Sequence, residues 1–525
     1  MLKQNEYWDM AGTMSARGSW SEQRDKYIEF DRYFYGDVFD DVIQQTTTDD
    51  SEAPTLLYPL KINLVKMMVM THTQMMMGQW EERVLDFQVK QKKRGPRLDL
   101  WAENAKALIT DVWDENDQNG LLMEGILACM LYGGTVYKVV SDYHLYNRVR
   151  IDHILPRYFL PRYHPFDPKR MMEVYIEVEM DIVDAMLAYN YKPKNQPAQG
   201  DTVYYREHWT EEHYEVTVGG NNDNAEEGVQ VLHQGANPYG FVPFIYIPRI
   251  RPPGEFYGLA VCEDIMGIQD ETNMRMADIG DRINYSSHPI WIVKNFYGDE
   301  SELVLAPDEI INLGASLGGM DPSFEMVAPA GEPPSTFKYL NMCLDLAKRG
   351  AMSPPIAFGE DQGSQRSALT LEFRMWPLIQ QAKWARANWT SALERLHDMI
   401  MRIRVTKDAL KKRGEDDTIK PAALKHRVLP KWQPVLPRDR KEEVEEVLEA
   451  WSRGEMPTIS LEAAVGILAF TEDSDEEIKR IMKLMEDRRQ QEIEVQEAAA
   501  IAKQQNQEQS RPKSESKPAK KSESK

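Results

Sequence analysis

The order of helical and strand-like segments between Gly258 and Arg413 constrains the fold more than any other feature of this chain. A helical pattern begins at Gly258 with "GLAVCEDIMGIQDETNMRMADIGDRINYSS", and a second covers about Thr336 to Gly350. Between them, residues 289–335 contain short β-branched runs such as "PIWIVKN" and "SFEMVA". This order predicts a small β module carried on two helices, which is an uncommon arrangement.

The first of these helices has one narrow apolar stripe on a charged surface. The apolar positions recur by three and four: Ile265, Ile268, Thr272, Met276, Ile279 and Ile283. The remaining surface carries the carboxylates of Glu263, Asp264, Asp270, Glu271, Asp278 and Asp281. Such a helix is typical of a bundle formed with copies of itself, or of an element that bridges solvent.

A polar loop and a long helical pattern follow the second helix. The stretch "PPIAFGEDQGSQRSAL" leads into a helix from Ser367 to about Arg413, with Ser364 or Ser367 as the expected N-cap. Pro377 removes one backbone donor inside this helix, so we expect a kink there. A glycine-containing loop before a helix can hold an anion. This loop lacks the lysine of a phosphate-binding loop and follows no hydrophobic strand, so we do not expect a nucleotide site.

The segment that begins at Thr135 predicts an α+β domain. Its strand-like runs are "TVYKVV", "RVRIDHI", "RMMEVYIEVEM", "TVYYREHW", "HYEVTVG", "GVQVLH" and "FVPFIYI". One helix, Asp181 to about Tyr191, interrupts them, and "VGGNNDNAEEG" has the composition of a hairpin loop. His208 and His213 flank a pair of glutamates, and a half-exposed hairpin explains this spacing better than a metal site does.

The two ends of the chain are described more coarsely by their sequence. The run "LVKMMVMTHTQMMM" predicts a methionine-rich helix, either buried or forming a subunit contact that needs adaptable packing. The basic run "VKQKKRGPRLD" favours a solvated loop over a phosphate contact. Near the other end we expect helices at about 439–453, 460–469 and 475–503. Residues 504–525 have no large apolar side chain, so we expect a disordered tail.

Composition and motifs exclude several classes of function. A net charge of −21 argues against a protein that wraps nucleic acid over its whole surface. No apolar run is long enough for a membrane span and the start lacks a signal-peptide pattern, which favours a soluble intracellular protein. Cys129, Cys262 and Cys343 are far apart, so we expect buried thiols. No catalytic, metal or cofactor motif is recognisable, which favours a structural protein.

The order of elements resembles that of the portal proteins of tailed bacteriophages. The local match is carried by "NPYGFVPFIYIPR", "EFYGLAVCEDIMGIQDETNMRMADIGD", "SPPIAFGEDQGSQRSALTLEFRMWPL" and "ISLEAAVGILAFTEDSDEEIKRI". The resemblance covers about Leu57 to Asp487. The sequence departs from the family pattern at "GSQRSAL", where Gln and Arg stand at positions that smaller residues often occupy in the family.

The resemblance implies an α+β, multidomain subunit of portal type with long helices. It implies a wing (1–257 and 367–436), two stem helices (258–288 and 336–350), a clip (289–335), a tunnel loop (351–366), a crown (437–503) and the tail (504–525). These subunits would form a ring of about twelve at one capsid vertex. Double-stranded DNA would enter and leave through the ring, and the protein itself would not be an enzyme and would need no cofactor.

The resemblance also implies sites and partners. The tunnel-loop residues expected to meet DNA are Gly359, Glu360, Asp361, Gln362, Gly363, Ser364, Gln365 and Arg366. Of these, Arg366 would contact either a DNA phosphate or an acid of a neighbouring loop, Glu360 or Asp361. The stem carboxylates named above would face the channel. Expected partners are further copies of the chain, the terminase large subunit, a head–tail adaptor, and the major capsid and scaffolding proteins, with no membrane. The expected location is the virion, and the host cytoplasm during assembly.

Two other readings stay open at this point. One is another oligomeric virion component, such as an adaptor or a scaffold-like protein; such chains are usually shorter and lack a β module between two helices. The other is a DNA-packaging enzyme, which would need a phosphate loop or a paired-carboxylate metal site.

Overall fold

The structure of the chain is a computed structural model, and its elements belong to two compact units, residues 1–436 and 437–525. The structure describes residues 20–38, 61–80, 83–90, 96–142, 144–164, 166–193, 198, 200–220, 228–287, 290–294, 323–327, 334–360, 368–405, 427–435, 444–445, 447, 449, 451, 480–486 and 489–490.

Helices form the centre of the first unit. They are α1 (Trp20–Tyr35), α2 (Leu64–Met77), α3 (Pro96–Glu115), α4 (Gln118–Tyr132), α5 (Ile182–Tyr189), α6 (Met266–Ser287), α7 (Pro334–Gly350) and α8 (Ala368–Val405). Two short 3-10 turns, Pro156–Tyr158 and Pro355–Phe358, connect other elements.

All the described strand pairs are antiparallel. The strands are β1 (Leu85–Lys90), β2 (Gly134–Ser141), β3 (Val149–Ile154), β4 (Phe159–His164), β5 (Asp167–Asp181), β6 (Thr202–Thr210), β7 (His213–Gly219), β8 (Gln230–Ala236), β9 (Phe244–Pro248), β10 (Ile290–Lys294), β11 (Ser323–Val327) and β12 (Arg427–Trp432). They form a five-stranded sheet in the order β4-β5-β6-β7-β8, a three-stranded sheet β3-β2-β9, and the ribbons β1-β12 and β10-β11.

The main core lies where α8 packs against α2 and the three-stranded sheet, and Trp389 of α8 donates to Cys129 Sγ of α4 at 3.5 Å. Trp389, Leu393, Leu396 and Ile400 recur at helical spacing on α8 and are fully buried. Helix α4 ends at Gly133, whose φ of 79° is readily adopted only by glycine, and the chain passes directly into β2. This turn brings α4 and β2 together under α8.

A buried ion pair joins the two larger sheets. Lys138 on β2 donates to Glu207 on β6 at 2.7 Å, and both side chains are buried. Tyr205 and Trp209 also donate to the Glu207 carboxylate, at 2.7 and 2.6 Å. Burial works against ionisation of Glu207, yet Lys138 and these donors hold its pKa below its usual value. The two sheets are therefore locked together by a charged group that water cannot reach.

The α+β prediction is confirmed, and most strand-like runs match strands. The runs from "TVYKVV" to "FVPFIYI" correspond to β2, β3, β5, β6, β7, β8 and β9. Helix α5 lies within the helix expected from Asp181 to about Tyr191, and Asp181 is its N-cap. His208 and His213 lie on the β6–β7 hairpin, with His208 bonded to Glu173 at 2.7 Å. Strand β4, in "FLPRYH", was not predicted, because a proline interrupts its pattern.

Strands β1 and β12 were also missed. They pair from Leu85–Trp432 to Lys90–Arg427, although they lie far apart in sequence. Pro430 sits within β12 opposite Phe87, which a two-stranded ribbon allows because each strand has a free edge.

Helix α6 begins later than its sequence pattern predicted. The helical pattern starts at Gly258, but the helix starts at Met266. The intervening chain is buried against the end of α4, where Val261 N–H donates to the Met130 carbonyl at 3.0 Å and Leu259 N–H donates to the Ile250 carbonyl at 2.9 Å. Tertiary contacts therefore override the local helical preference.

Three further expectations can be compared with the described residues. All three cysteines are buried, as expected, and burial raises the pKa of Cys129 to about 12. Among the methionines of α2, Met68 and Met76 are buried whereas Met67 and Met70 are partly exposed. The helix is therefore compatible both with a buried position and with a subunit contact. No helix in the described part of the chain is long and apolar enough to cross a membrane.

The second unit is described only in short helical pieces. Residues 444–445, 447, 449 and 451 are helical, as are 480–486 and 489–490, in agreement with two of the expected helices. Val447 is buried. The expected helix at 460–469 and the tail at 504–525 lie outside the described residues.

Candidate functional site

A β ribbon stands on the pair of helices α6 and α7. Strand β10 follows α6 and pairs with β11, which precedes α7, from Ile290–Val327 to Lys294–Ser323. This confirms the runs "PIWIVKN" and "SFEMVA" as strands, and residues 295–322 between them lie outside the described residues. The two helices pack together, and Tyr339 O–H donates to Glu271 at 3.1 Å. The segment is therefore a stalk that carries a small ribbon.

The apolar stripe of α6 is buried at its base and exposed toward the ribbon. Ile265, just before the helix, and Thr272 and Ile279 within it are buried. Ile283, near the other end, is more than half exposed. The stripe thus holds the stalk to the rest of its own subunit only over the first turns of the helix.

Two buried amides fasten the base of α6 to α2. Gln269 Oε1 accepts from Val65 N–H at 2.9 Å, and Asn273 bonds both the N–H and the carbonyl of Ile62, at 2.9 and 3.1 Å. These bonds satisfy backbone groups at the start of α2 that lack helical partners. Sequence reasoning missed both residues, although two amides one turn apart beside the apolar stripe are a usable signal.

The predicted stem carboxylates have different surroundings. Glu263 and Asp264 are exposed just before α6, and the side chain of Asp281 lies outside the described residues. Asp270 accepts from Tyr33 O–H at 2.5 Å on α1. Partial burial raises the pKa of Asp270, and the Tyr33 bond opposes that rise. Within the subunit, Asp270 therefore holds the stalk to α1.

Arg275 separates the other two carboxylates and bonds both. Its guanidinium lies 2.8 Å from Glu271 and 3.0 Å from Asp278, four residues before it and three after it. Hydrogen bonds from Arg275 and Tyr339 lower the pKa of Glu271. The surface of the helix here is an ion-paired network rather than a purely acidic stripe. The i,i+4 and i,i+3 spacings were visible in the sequence.

The polar loop after α7 is fastened to α2 at its first residues. His72 Nε2–H donates to the Ala351 carbonyl at 2.8 Å and lies 3.1 Å from Ser353 Oγ. Burial, with help from the nearby Arg249, lowers the pKa of His72 to about 3, so the ring is neutral. Met352 between these contacts has a φ of 52°, so the chain turns sharply there.

The described part of the loop ends at Glu360. A 3-10 turn, Pro355–Phe358, is closed by Gly359 with a φ of 75°. The Glu360 carboxylate bonds Lys348 on α7, so it already has a partner within its own subunit. The other predicted loop residues, Asp361, Gln362, Gly363, Ser364, Gln365 and Arg366, lie outside the described residues, as do the two proposed N-caps.

Helix α8 contains Pro377 as expected and extends from Ala368 to Val405. Burial changes at this proline: Phe373, Trp376 and Pro377 are exposed, whereas Leu378 is fully buried. Arg386, further along, donates to the carbonyl of Met76 at 3.0 Å and fixes α8 to the end of α2. The first turns of α8 therefore extend beyond the core of their own subunit.

The thiols and potential metal ligands of the described residues were the remaining candidates for a chemical site. No group of potential metal ligands is present among the described residues. The buried thiols of Cys129 and Cys262 have raised pKa values, which disfavours the reactive thiolate. What the arrangement provides is a rigid stalk, a loop fastened at one end, and an exposed helix start.

A comparison with known proteins identifies the family to which the chain is similar. A family model described as "Phage portal protein, SPP1 Gp6-like" matches residues 17–492. No curated protein matches the chain.

Proposed function

Because this chain belongs to the phage portal protein family, a structural component of the capsid vertex, we propose that it forms a ring through which the genome is packaged and ejected. The ring would contain about twelve copies, related by cyclic symmetry. The observation that carries this proposal is the family match over residues 17–492, which includes the stalk, the loop and α8. Assembly would take place in the host cytoplasm, on the major capsid and scaffolding proteins.

The stalk supports this role through its geometry. In the proposed ring, α6 and α7 form the stem, and copies packed side by side enclose a channel. Residues 289–335 form the clip at the end of the stalk, where the terminase large subunit and later a head–tail adaptor can reach it. The amide bonds from Gln269 and Asn273 keep the stem at a fixed angle to the wing, residues 1–257 and 367–436.

The charges of the stem support sliding of DNA over binding to it. Glu263, Glu271 and Asp278 would repel phosphate, and the protein carries a net charge of −21. Arg275 is occupied by two carboxylates, so it offers little free positive charge to a phosphate. A channel wall of this kind would conduct DNA in both directions without gripping it.

The tunnel loop, residues 351–366, would form the constriction. Its start is held by His72, and Glu360 is held by Lys348, so the part free to meet DNA would be 361–366. Arg366 would contact a DNA phosphate or Asp361 of a neighbouring loop. Since Glu360 already bonds Lys348, Asp361 is the better acidic candidate.

Electron microscopy of the purified full chain tests the ring. Rings with a central hole wide enough for duplex DNA are expected, and monomers or compact dimers would refute the proposal. Replacement of Arg366 by Glu then tests the loop in a packaging assay. Rings should still assemble while packaged DNA falls strongly; unchanged packaging would remove this role from Arg366.

A further inference from the structure

An aromatic stripe is exposed on the first half of α8. Phe373 is 67% exposed and Trp376 is 46% exposed, and Trp384 lies on the same face about three turns from Phe373. The Lys383 ammonium lies 5.3 Å from the Trp376 ring centroid and covers only one side of it. Large aromatic side chains grouped in this way on a surface mark a contact with another molecule.

The position of the stripe points to a partner outside the subunit. Burial by the subunit's own core starts at Leu378, directly after Pro377, so the turns that carry Phe373 and Trp376 are left uncovered. A helix end that extends into solvent is expected to be polar all round. The start of α8 is not polar all round, so an apolar surface outside the subunit's own core is needed to cover it.

Helix α7 has a second uncovered apolar face. Met342 and Leu346, one turn apart, are 49% and 45% exposed, whereas Cys343 and Ala347 on the neighbouring face are buried. A groove of about 300 Å³ runs along this surface, lined by Lys338, Asn341, Met342, Asp345, Leu346 and Arg349. Met342 and Leu346 supply the apolar surface of this groove, and Lys338, Asp345 and Arg349 supply its charges.

We propose that Phe373 and Trp376 of one subunit dock on the Met342–Leu346 face of the next subunit, so that the occupant of the groove is a second copy of this chain. This inference rests on the proposed ring and names one of its contacts. Cyclic symmetry requires two different faces of one subunit to meet. Along the chain the two faces are separated by the end of α7, the loop that begins at Ala351 and the first turn of α8.

The charges beside the two faces complement each other. Exposed Glu372 and Arg374 flank Phe373 on α8. In the groove, Lys338 and Arg349 are of opposite charge to Glu372, and Asp345 is of opposite charge to Arg374. Charges at the rim of an interface set its register and suppress wrong pairings, while the aromatic anchors supply most of the affinity. The contact would also place each tunnel loop between two subunits.

Cross-linking of the assembled full chain tests the contact directly. The variant carries Trp376→Cys and Leu346→Cys and is treated with a short bismaleimide; the native cysteines are buried. A ladder of covalently linked subunits is expected. The matched control combines Leu346→Cys with Phe166→Cys, an almost fully exposed aromatic elsewhere in the same unit, and should give no ladder.

The outcomes separate this inference from the proposed function. Intact rings without a Trp376–Leu346 ladder overturn the contact and leave the ring standing, whereas a wild-type chain that forms no rings refutes both. In the single variant Trp376→Cys, protection of the introduced thiol by duplex DNA rather than by assembly would assign the stripe to DNA and also overturn the contact.

A second variant measures the energy of the contact. Replacement of Phe373 and Trp376 by Ala should raise the protein concentration needed for ring assembly by at least about tenfold. Phe166→Ala should leave it unchanged. Both variants should keep the wild-type melting temperature of the dissociated subunit, since these side chains are exposed. Ring assembly of the double variant at wild-type concentrations would overturn the proposal.

Discussion

His397 should make the first unit sensitive to acid, and its replacement should reveal how much. Its Nε2 accepts from Trp113 Nε1–H at 3.0 Å, and its Nδ1–H donates to the Val428 carbonyl at 2.8 Å. The ring thus ties α8 to α3 and β12 in one tautomer. Burial lowers its pKa to about 4, although the bond to Val428 opposes this shift.

The sign and size of the effect follow from linkage. In the unfolded chain the pKa of a histidine is about 6.5. Below that pH the unfolded state binds the extra proton and the folded state does not. The stability present above pH 6.5 is therefore lost as the pH falls toward the folded pKa. At about pH 5 the titration of His397 lowers the free energy of unfolding by about 2 kcal/mol. His72, with a pKa of about 3, lowers it by about as much.

His397→Gln separates this titration from the lost contacts. At pH 7 the variant should be less stable by about 1–3 kcal/mol, because Trp113 or Val428 loses a well-placed partner. At about pH 5 the cost should shrink by about 2 kcal/mol, because the variant no longer has a proton to exclude. Urea denaturation of the full chain, followed by tryptophan fluorescence, measures both values.

The control for this experiment is His233→Gln, since His233 lies exposed on β8. It should change neither the midpoint nor its pH dependence. An equal cost of His397→Gln at both pH values would refute the reasoning, because it would mean that His397 is not held neutral by the fold.

Two further substitutions test the core of the subunit. Lys138→Met should lower the free energy of unfolding by about 3–5 kcal/mol, because it leaves Glu207 ionised in a buried site. Adding Glu207→Leu should recover most of this loss. A double variant that is as unstable as the single variant in urea denaturation would contradict this. Gly133→Ala should lower the yield of folded protein, since its φ is 79° and an added Cβ would meet the Gly258 carbonyl; wild-type yield and melting temperature would exclude that strain.

The sequence predicted those elements whose pattern is set locally. Apart from β4, the strands from β2 to β9 are β-branched and bounded by turn residues, so their local preference and their final environment agree. The stalk was predicted for the same reason, because α6, β10, β11 and α7 switch clearly between periods of 3.6 and 2. The α+β class followed from these elements.

The elements that were missed depend on partners far along the chain. Strand β12 contains Pro430 and is stabilised by β1, which no local pattern indicates. Residues 258–265 read as helix but are drawn into contacts with the end of α4. In the same way, acidic composition predicted a uniform channel face, whereas Asp270 turned out to bond Tyr33, and Arg275 to bond Glu271 and Asp278.

The β1–β12 ribbon has a consequence for the synthesis of the protein. Along the chain, the stalk, the polar loop after α7 and α8 all lie between its two strands, so translation delivers β12 only after all of these. Closing so long a loop costs entropy that grows slowly with its length, but the contact is absent until Trp432 has left the ribosome. Val428, whose carbonyl accepts the hydrogen bond from His397, lies on the same strand and is synthesised with it. A partly synthesised chain therefore lacks both the β1–β12 ribbon and the bond from His397 to Val428, and it gains them only at the end of the first unit.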